Sequence, residues 1–280
     1  MTLHGIVHGL PEAEYHADTA LSSTNARLLL DSPAKYKYAQ THPQATKAAF
    51  DVGTAAHSKV LGVGSPTVVI PEKHLAANGA LSTKEGKQWA ADERTAGRTP
   101  VKRAVFEEVK AMSESLLAHP MARVLLEQVG NPEVSVFGTD PETDVEGRAR
   151  FDYLPSAGNT PVAVDLKTAR DASPRGFAKA SAEHGYHVQR GHYIDYNRFA
   201  GGIELDGFVF VVVESVAPFL VGVYRLNSVF EEIGHRKARE ARHIYKECLE
   251  TDNWGGYSDD IVSLMPPFWT IAEDAEAQIG

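Results

Sequence analysis

Three side chains in the middle of the chain, Asp152, Asp165 and Lys167, stand at spacings that could do chemistry on a phosphate. In the run Pro161 to Thr168, Val162 and Val164 fall on one side of an extended chain and Asp165 and Lys167 on the other, because side chains alternate along a strand. Arg148, Arg150 and Asp152 follow at two-residue steps in the preceding run, which predicts that they share a face. Pairing of the two runs can set Asp152 beside Asp165. Two close carboxylates repel, and a hard divalent cation with oxygen ligands at roughly 2.1 Å is the usual remedy. Carboxylates to hold such an ion, its Lewis acidity and a neighbouring ammonium together make a kit for hydrolysing a phosphodiester. The same residues also suit an ordinary ion pair beside a turn aspartate, and a bare D-x-K recurs by chance.

Other residues enter through their spacing to this group. Gln189 and Tyr193 are four apart, so a helix would put them on one face, with Tyr196 continuing it. An amide and a phenol there could bond a phosphate; equally, the tyrosines could be packing aromatics and Gln189 solvated. His57 comes one turn after Gly53, and a glycine within a helix often marks close approach of another element or a ligand. Glu133, heading the first strand-like run, could reach a metal through water or serve as an edge-strand charge. His184, His187 and His192 cluster without a zinc spacing and are expected on the outside or facing a ligand. No phosphate-binding glycine loop, H-E-x-x-H or G-x-S-x-G is present.

The elements that must position these residues follow from periodicity. Ser22 to Thr24 offer an N-cap to a helix over Asn25 to Leu30, and a second opens near Pro33. Helical spacing returns over Ala48 to Leu61 and from Val101 to Val129, with Pro120 as a break. Residues 62–100 read as a partly helical excursion with a short strand at Thr67 to Ile70. The period changes to two for Glu133 to Gly138, Arg148 to Leu154 and Pro161 to Thr168, a three-stranded meander. Helix resumes over Pro174 to Ala200, strands at Phe208 to Glu214 and Leu220 to Leu226, and an amphipathic helix at Ser228 to Leu249. The fold class is α/β, with a mixed central sheet flanked by helices. Residues 1–280 are expected to form a single domain, with a helical elaboration over 1–130 and a core over 131–250.

Composition narrows the partners. The 280 residues are 43% hydrophobic and 23% charged, with a formal net charge of −9, which disfavours indiscriminate coating of a polyanion. A local basic groove remains open, drawing on Arg148, Arg150, Lys167, Arg170, Arg175, Lys179, Arg190 and Arg198. Cys248 is the only cysteine, so internal disulfides and four-cysteine zinc or iron–sulfur sites within one chain are excluded. No apolar run nears the roughly 20 residues of a membrane span, and Met1 to Leu10 has no basic segment leading into a greasy one, so a cytoplasmic protein is expected.

Taken in order, Gly53-Thr54-Ala55-Ala56-His57, Glu133, Phe151-Asp152-Tyr153, Val164-Asp165-Leu166-Lys167-Thr168 and Gln189-x-x-x-Tyr193 resemble the RecB-like branch of the PD-(D/E)xK nucleases. Within that branch the likeness is to RecE-type exonucleases, exodeoxyribonuclease VIII and its phage relatives, and Tyr15 to Ala39 also looks like their opening. The resemblance implies a restriction-endonuclease-like core and Mg2+ or Mn2+ held by His57, Asp152, Asp165 and the Leu166 carbonyl. Lys167 would position or activate water, and Gln189 and Tyr193 would support the phosphate. Phe151 replaces the proline of the nominal P-D, and Asp165 stands where Glu is commoner. The activity implied is digestion of linear duplex DNA from its ends, 5′→3′, in a homo-oligomer that hands a 3′ strand to a RecT-like annealing protein. Single-strand or structure-specific cleavage at the same site, and a non-catalytic DNA-binding or phage assembly role, are the alternatives.

Overall fold

The computed structural model describes residues 3–42, 52–63, 66–158, 160–267, 269–271 and 274, without the side chains of residues 52–54 and 57. The N-terminal part runs β1 (Gly5–Val7), α1 (Glu12–Ala17), β2 (Leu21–Ser22), α2 (Ser23–Asp31), α3 (Pro33–Thr41) and α4 (Val52–Leu61). It continues through β3 (Thr67–Val69), α5 (Lys84–Thr95), β4 (Thr99–Val101), α6 (Arg103–Ala118) and α7 (Pro120–Leu126). The C-terminal part is β5 (Gly130–Thr139), β6 (Glu146–Pro155), β7 (Val162–Ala169), α8 (Pro174–Glu183), α9 (Tyr186–Phe199), β8 (Gly207–Glu214), β9 (Val221–Tyr224) and α10 (Ser228–Thr251). Local chemistry sets several starts. Ser22 accepts the Asn25 N–H at 3.2 Å to cap α2. Pro33 and Pro120 occupy the first turns of α3 and α7, where the missing N–H costs nothing.

The sheet order is β1-β5-β6-β7-β8-β9. β5, β6 and β7 are successively antiparallel, as the meander predicts. β7 and β8 are parallel from Val162↔Gly207 to Ala169↔Glu214, and the crossover that a parallel pair needs is supplied by α8 and α9. β8 shows clean alternation. Phe208, Phe210 and Val212 enter a core with Phe177 of α8 and Tyr193 and Tyr196 of α9. Val211 and Val213 enter a second core on the opposite face with Ala56 of α4 and Val109, Met112 and Leu116 of α6. The mixed sheet is therefore covered by helices on both faces.

β6 departs from this regularity in two ways that matter for function. Its second edge is divided: Gly147 and Arg148 pair with β2, while β7 joins only at Tyr153↔Val164, so the sheet forks between them. Its alternation also slips, because Phe151 belongs to the first core and Tyr153 to the second. The slip falls at Asp152. On β5 the facing residue, Glu133, has φ of +51° and is the one step missing from the β5–β6 register.

Three expectations need correction. Arg148 and Arg150 do share a face, with their guanidinium groups 4.8 and 5.1 Å from the centre of the Tyr15 ring, but the slip removes Asp152 from that series. The 62–100 excursion is partly helical with a strand at Thr67–Val69, as expected, but the helix expected from Val101 begins only at Arg103, because Thr99–Val101 forms β4 and pairs with β3. The short strands β1 and β2, which join the central sheet, were not anticipated. The segment Ala48 to Asp51 of the expected helix lies outside the described residues.

Candidate active site

The antiparallel register Tyr153↔Val164, carried one step, sets Asp152 opposite Asp165 at the root of the fork. There the Leu166 N–H is taken by a side chain, donating to Asp152 Oδ2 at 2.6 Å. Asp165 is 2% exposed on its side chain. Its Oδ1 accepts Gln189 Nε2 of α9 at 2.6 Å, and its Oδ2 pairs with the Lys167 ammonium. Burial alone would depress Lys167, but the charges of Asp165 and Asp152 outweigh it and hold the ammonium above its ordinary range. The Tyr186 ring lies 5.0 Å below it.

Around the fork is a cleft of about 700 Å³ that reaches both faces of the sheet. Asp152, Glu133, Arg150, Lys167, Tyr186 and Tyr193 line one part, and Leu116, Val211 and Val213 another. Tyr193 packs edge-on against Phe151 and Phe208, and burial keeps its hydroxyl protonated far above the usual phenol range. The structure thus brings Asp152, Asp165, Lys167, Gln189, Tyr193 and Glu133 to one place. Gln189 faces the carboxylate of Asp165 from behind, so its amide orients that group. The His57 side chain lies outside the described residues, although its backbone is in α4.

Sequence reasoning missed the N-terminal wall. Gly9 to Glu12, Tyr15 and His16 also line the cleft. Arg148 donates to the carbonyls of Tyr15 and Asp18, and Arg150 to that of Leu10. Burial pushes the Tyr15 hydroxyl up to about 12, against the pull of both arginines. Arg27 of α2 was also missed. Burial lowers it, while Tyr193, Tyr186 and Asp165 act on it in the opposite sense, and its guanidinium donates to the His184 carbonyl and to Thr24 Oγ1. A lone cation inside the apolar run Asn25 to Leu30 was its only signal.

The histidine expectation fails for two of its three members. His184 is exposed, but His187 and His192 are buried and bonded to the carbonyls of Ser181 and Arg148 at 3.1 and 3.0 Å. The basic groove is also smaller than expected. Arg148 and Arg190 are buried, and Arg190 is held by Glu231 at 2.9 Å.

The donors suit a hard divalent cation in kind: carboxylates from neighbouring strands, a nearby backbone carbonyl and no thiolate. Among the described residues no group of three His, Cys, Asp or Glu could by itself hold a metal ion. A full ligand set therefore needs the Leu166 carbonyl or a residue outside that search, such as His57.

A mixed sheet with two carboxylates and a lysine on adjoining central strands defines a class, and comparison with known proteins places the chain within it. The chain belongs to the PDDEXK-like domain family DUF3799, described as a domain of unknown function, which matches residues 22–264. Among curated proteins no sequence match is found. The crystal structure of a candidate exonuclease from Eubacterium rectale is similar in fold, with TM-score 0.57 and 13% identity over 95% of this chain and 98% of that one. That of SSO0001 matches with TM-score 0.29 and 13% identity over 69% of this chain and 84% of that one. No helix among the described residues is long and apolar enough to cross a membrane.

Proposed function

We propose that this chain is a divalent-metal-dependent DNA exonuclease that shortens linear duplex in the 5′→3′ direction and leaves a 3′ single strand. The observation that carries the reading is the convergence of Asp152, Asp165 and Lys167 in the fork between β6 and β7, inside a cleft. Family membership supports a nuclease. The resemblance to RecE-type enzymes supports the polarity, a homo-oligomer, a RecT-like annealing partner and a cytoplasmic setting.

In this reading Asp152, Asp165, the Leu166 carbonyl and His57 would hold Mg2+ or Mn2+, and Glu133 would act through water. The bound ion supplies Lewis acidity toward the phosphate and the attacking water. The protein's own contribution is preorganisation. Asp152 is fixed by the Leu166 N–H and Asp165 by Gln189 and Lys167, so neither carboxylate has to be reoriented when substrate arrives. Lys167 is held as an ammonium; it can donate to the attacking water and offset charge gathering on the phosphorane. Water attacks phosphorus and gives up a proton to solvent, the bond from phosphorus to the 3′ oxygen breaks, and that oxygen takes up a proton from solvent, so that a 5′-phosphate and a 3′-hydroxyl result.

The test is digestion of end-labelled linear duplex, covalently closed circles and single strands in Mg2+, Mn2+ or EDTA. Linear duplex should shorten from its 5′ ends with either metal, and closed circles should survive. Nicking of closed circles would make the chain an endonuclease. Absence of hydrolysis on every substrate with both metals would remove the enzyme reading.

A further inference from the structure

Arg150 stands where three segments meet at the cleft. Its Nε lies 2.9 Å from Glu133 Oε2, its Nη2 donates to the Leu10 carbonyl, and its guanidinium sits 5.1 Å from the centre of the Tyr15 ring. The side chain is 13% exposed, too enclosed to serve as a free landing point for a DNA phosphate. Glu133 in turn has φ of +51° and faces Asp152 at the interrupted step of the β5–β6 ladder. A left-handed conformation is unfavourable for a non-glycine residue, and it persists only where its surroundings hold it. The guanidinium of Arg150 is one such hold, and its planar fork has a second direction in use toward Leu10.

We propose that Arg150 is a positioning residue, which sets the Glu133 carboxylate in the cleft beside Asp152 and ties that setting to the N-terminal segment Leu10–Tyr15. The proposal rests on the nuclease reading of the site and adds to it. Arg150 does not touch substrate in this account; it acts through Glu133. The segment that looked like a mere opening to the fold becomes part of the acidic wall's support.

The experiment compares Arg150→Gln, Arg150→Lys, Glu133→Gln and the double variant Arg150→Gln/Glu133→Gln with wild type. Thermal melting, Mn2+ titration without DNA, and single-turnover cleavage at saturating Mg2+ are followed. Arg150→Gln and Glu133→Gln should each lower the rate by about ten- to a hundredfold, the range for losing an orienting partner near a metal site. The double variant should be no slower than the worse single one, and Arg150→Lys should recover little, since an ammonium cannot reproduce the fork. KM for DNA should stay within about twofold. Mn2+ affinity separates positioning from simple charge. On charge alone Arg150→Gln would tighten Mn2+ and Glu133→Gln would weaken it, whereas positioning weakens it in both.

Opposite shifts in Mn2+ affinity, multiplicative losses in the double variant, or a raised KM with a flattened salt dependence would each overturn the proposal. So would a lower melting temperature with an unchanged rate in the folded fraction. Glu133→Gln removes no packing, so it remains informative if Arg150→Gln fails to fold. Asp152→Ala serves as the control. If it still hydrolyses DNA, the nuclease reading of the site falls; if it is inactive while Arg150→Gln and Glu133→Gln match wild type, only the positioning role falls.

Discussion

Lys167 is poised between a burial that would neutralise it and two carboxylates that keep it charged, and the carboxylates win. An ammonium cannot ligate a metal but can steady a water and offset developing charge. Lys167→Ala is therefore expected to keep metal and DNA binding while lowering the chemical step by about two to four orders of magnitude. Lys167→Arg should rescue little, because the guanidinium is longer and planar. Single-turnover cleavage at saturating metal reads the effect. Loss of DNA binding in proportion to rate, or full rescue by arginine, would reduce Lys167 to a steering charge. At this scale much was legible: alternation put Asp165 and Lys167 side by side, and a four-residue step put Gln189 and Tyr193 on one helix face. What alternation could not show was the slip at Asp152 and the left-handed Glu133. Both arise from how β5 and β6 meet, and neither residue type announces a break in the pleat. The Arg150–Glu133 pair was hidden for the same reason, since its partners are 17 residues apart by number and adjacent only through pairing.

Among the elements, the long strands and helices were readable because each carries several periods of its pattern. β1 and β2 have three and two residues, too few for a period to emerge, and they exist because β5 and β6 offer edges to them. α9 shows how burial rewrites residue roles. It crosses α10 with backbones in contact, since a Cβ on Gly234 would lie 2.1 Å from the His187 carbonyl oxygen. On the same helix His192 is fully enclosed, with Nε2 donating to the Arg148 carbonyl at 3.0 Å. Burial, helped by the nearby Arg242 and opposed by Asp195, lowers its pKa from 6.5 to about 4. The folded form thus binds the proton more weakly than the unfolded chain. Its contribution is present above about pH 6.5 and is lost as pH falls through about 4, a swing on the order of 3 kcal/mol. His192→Gln, which retains a donor and does not titrate, should lose less stability than wild type between pH 7 and pH 4 in urea denaturation. Identical losses would mean that His192 does not drive that limb.

The whole molecule carries a formal charge of −9, yet its proposed substrate is a polyanion. Of the cations between Arg148 and Arg198, Arg148, Arg150 and Arg190 are enclosed and bonded, and Lys167 holds Asp165. Lys179 lies 3.6 Å from Glu183 and Arg198 3.8 Å from Asp195, leaving Arg170 and Arg175 as the exposed remainder. The affinity for duplex, measured by anisotropy in EDTA, should therefore fall with log salt at a slope of about −3 or shallower per protomer. A slope steeper than about −6 would require a cationic surface elsewhere. The forked sheet has a further consequence at this scale. Central strands ordinarily guard their amide protons best, with protection fading toward the edges. Here the middle of the sheet opens onto solvent, and the Leu166 amide depends on the Asp152 carboxylate for its partner. Deuterium should therefore enter at Leu166 well before it enters the β7–β8 ladder beside it, and Asp152→Asn should hasten that entry. Within the central strands the gradient of exchange would then run outward from the site, so an early-exchanging central amide would mark the place of the proposed chemistry.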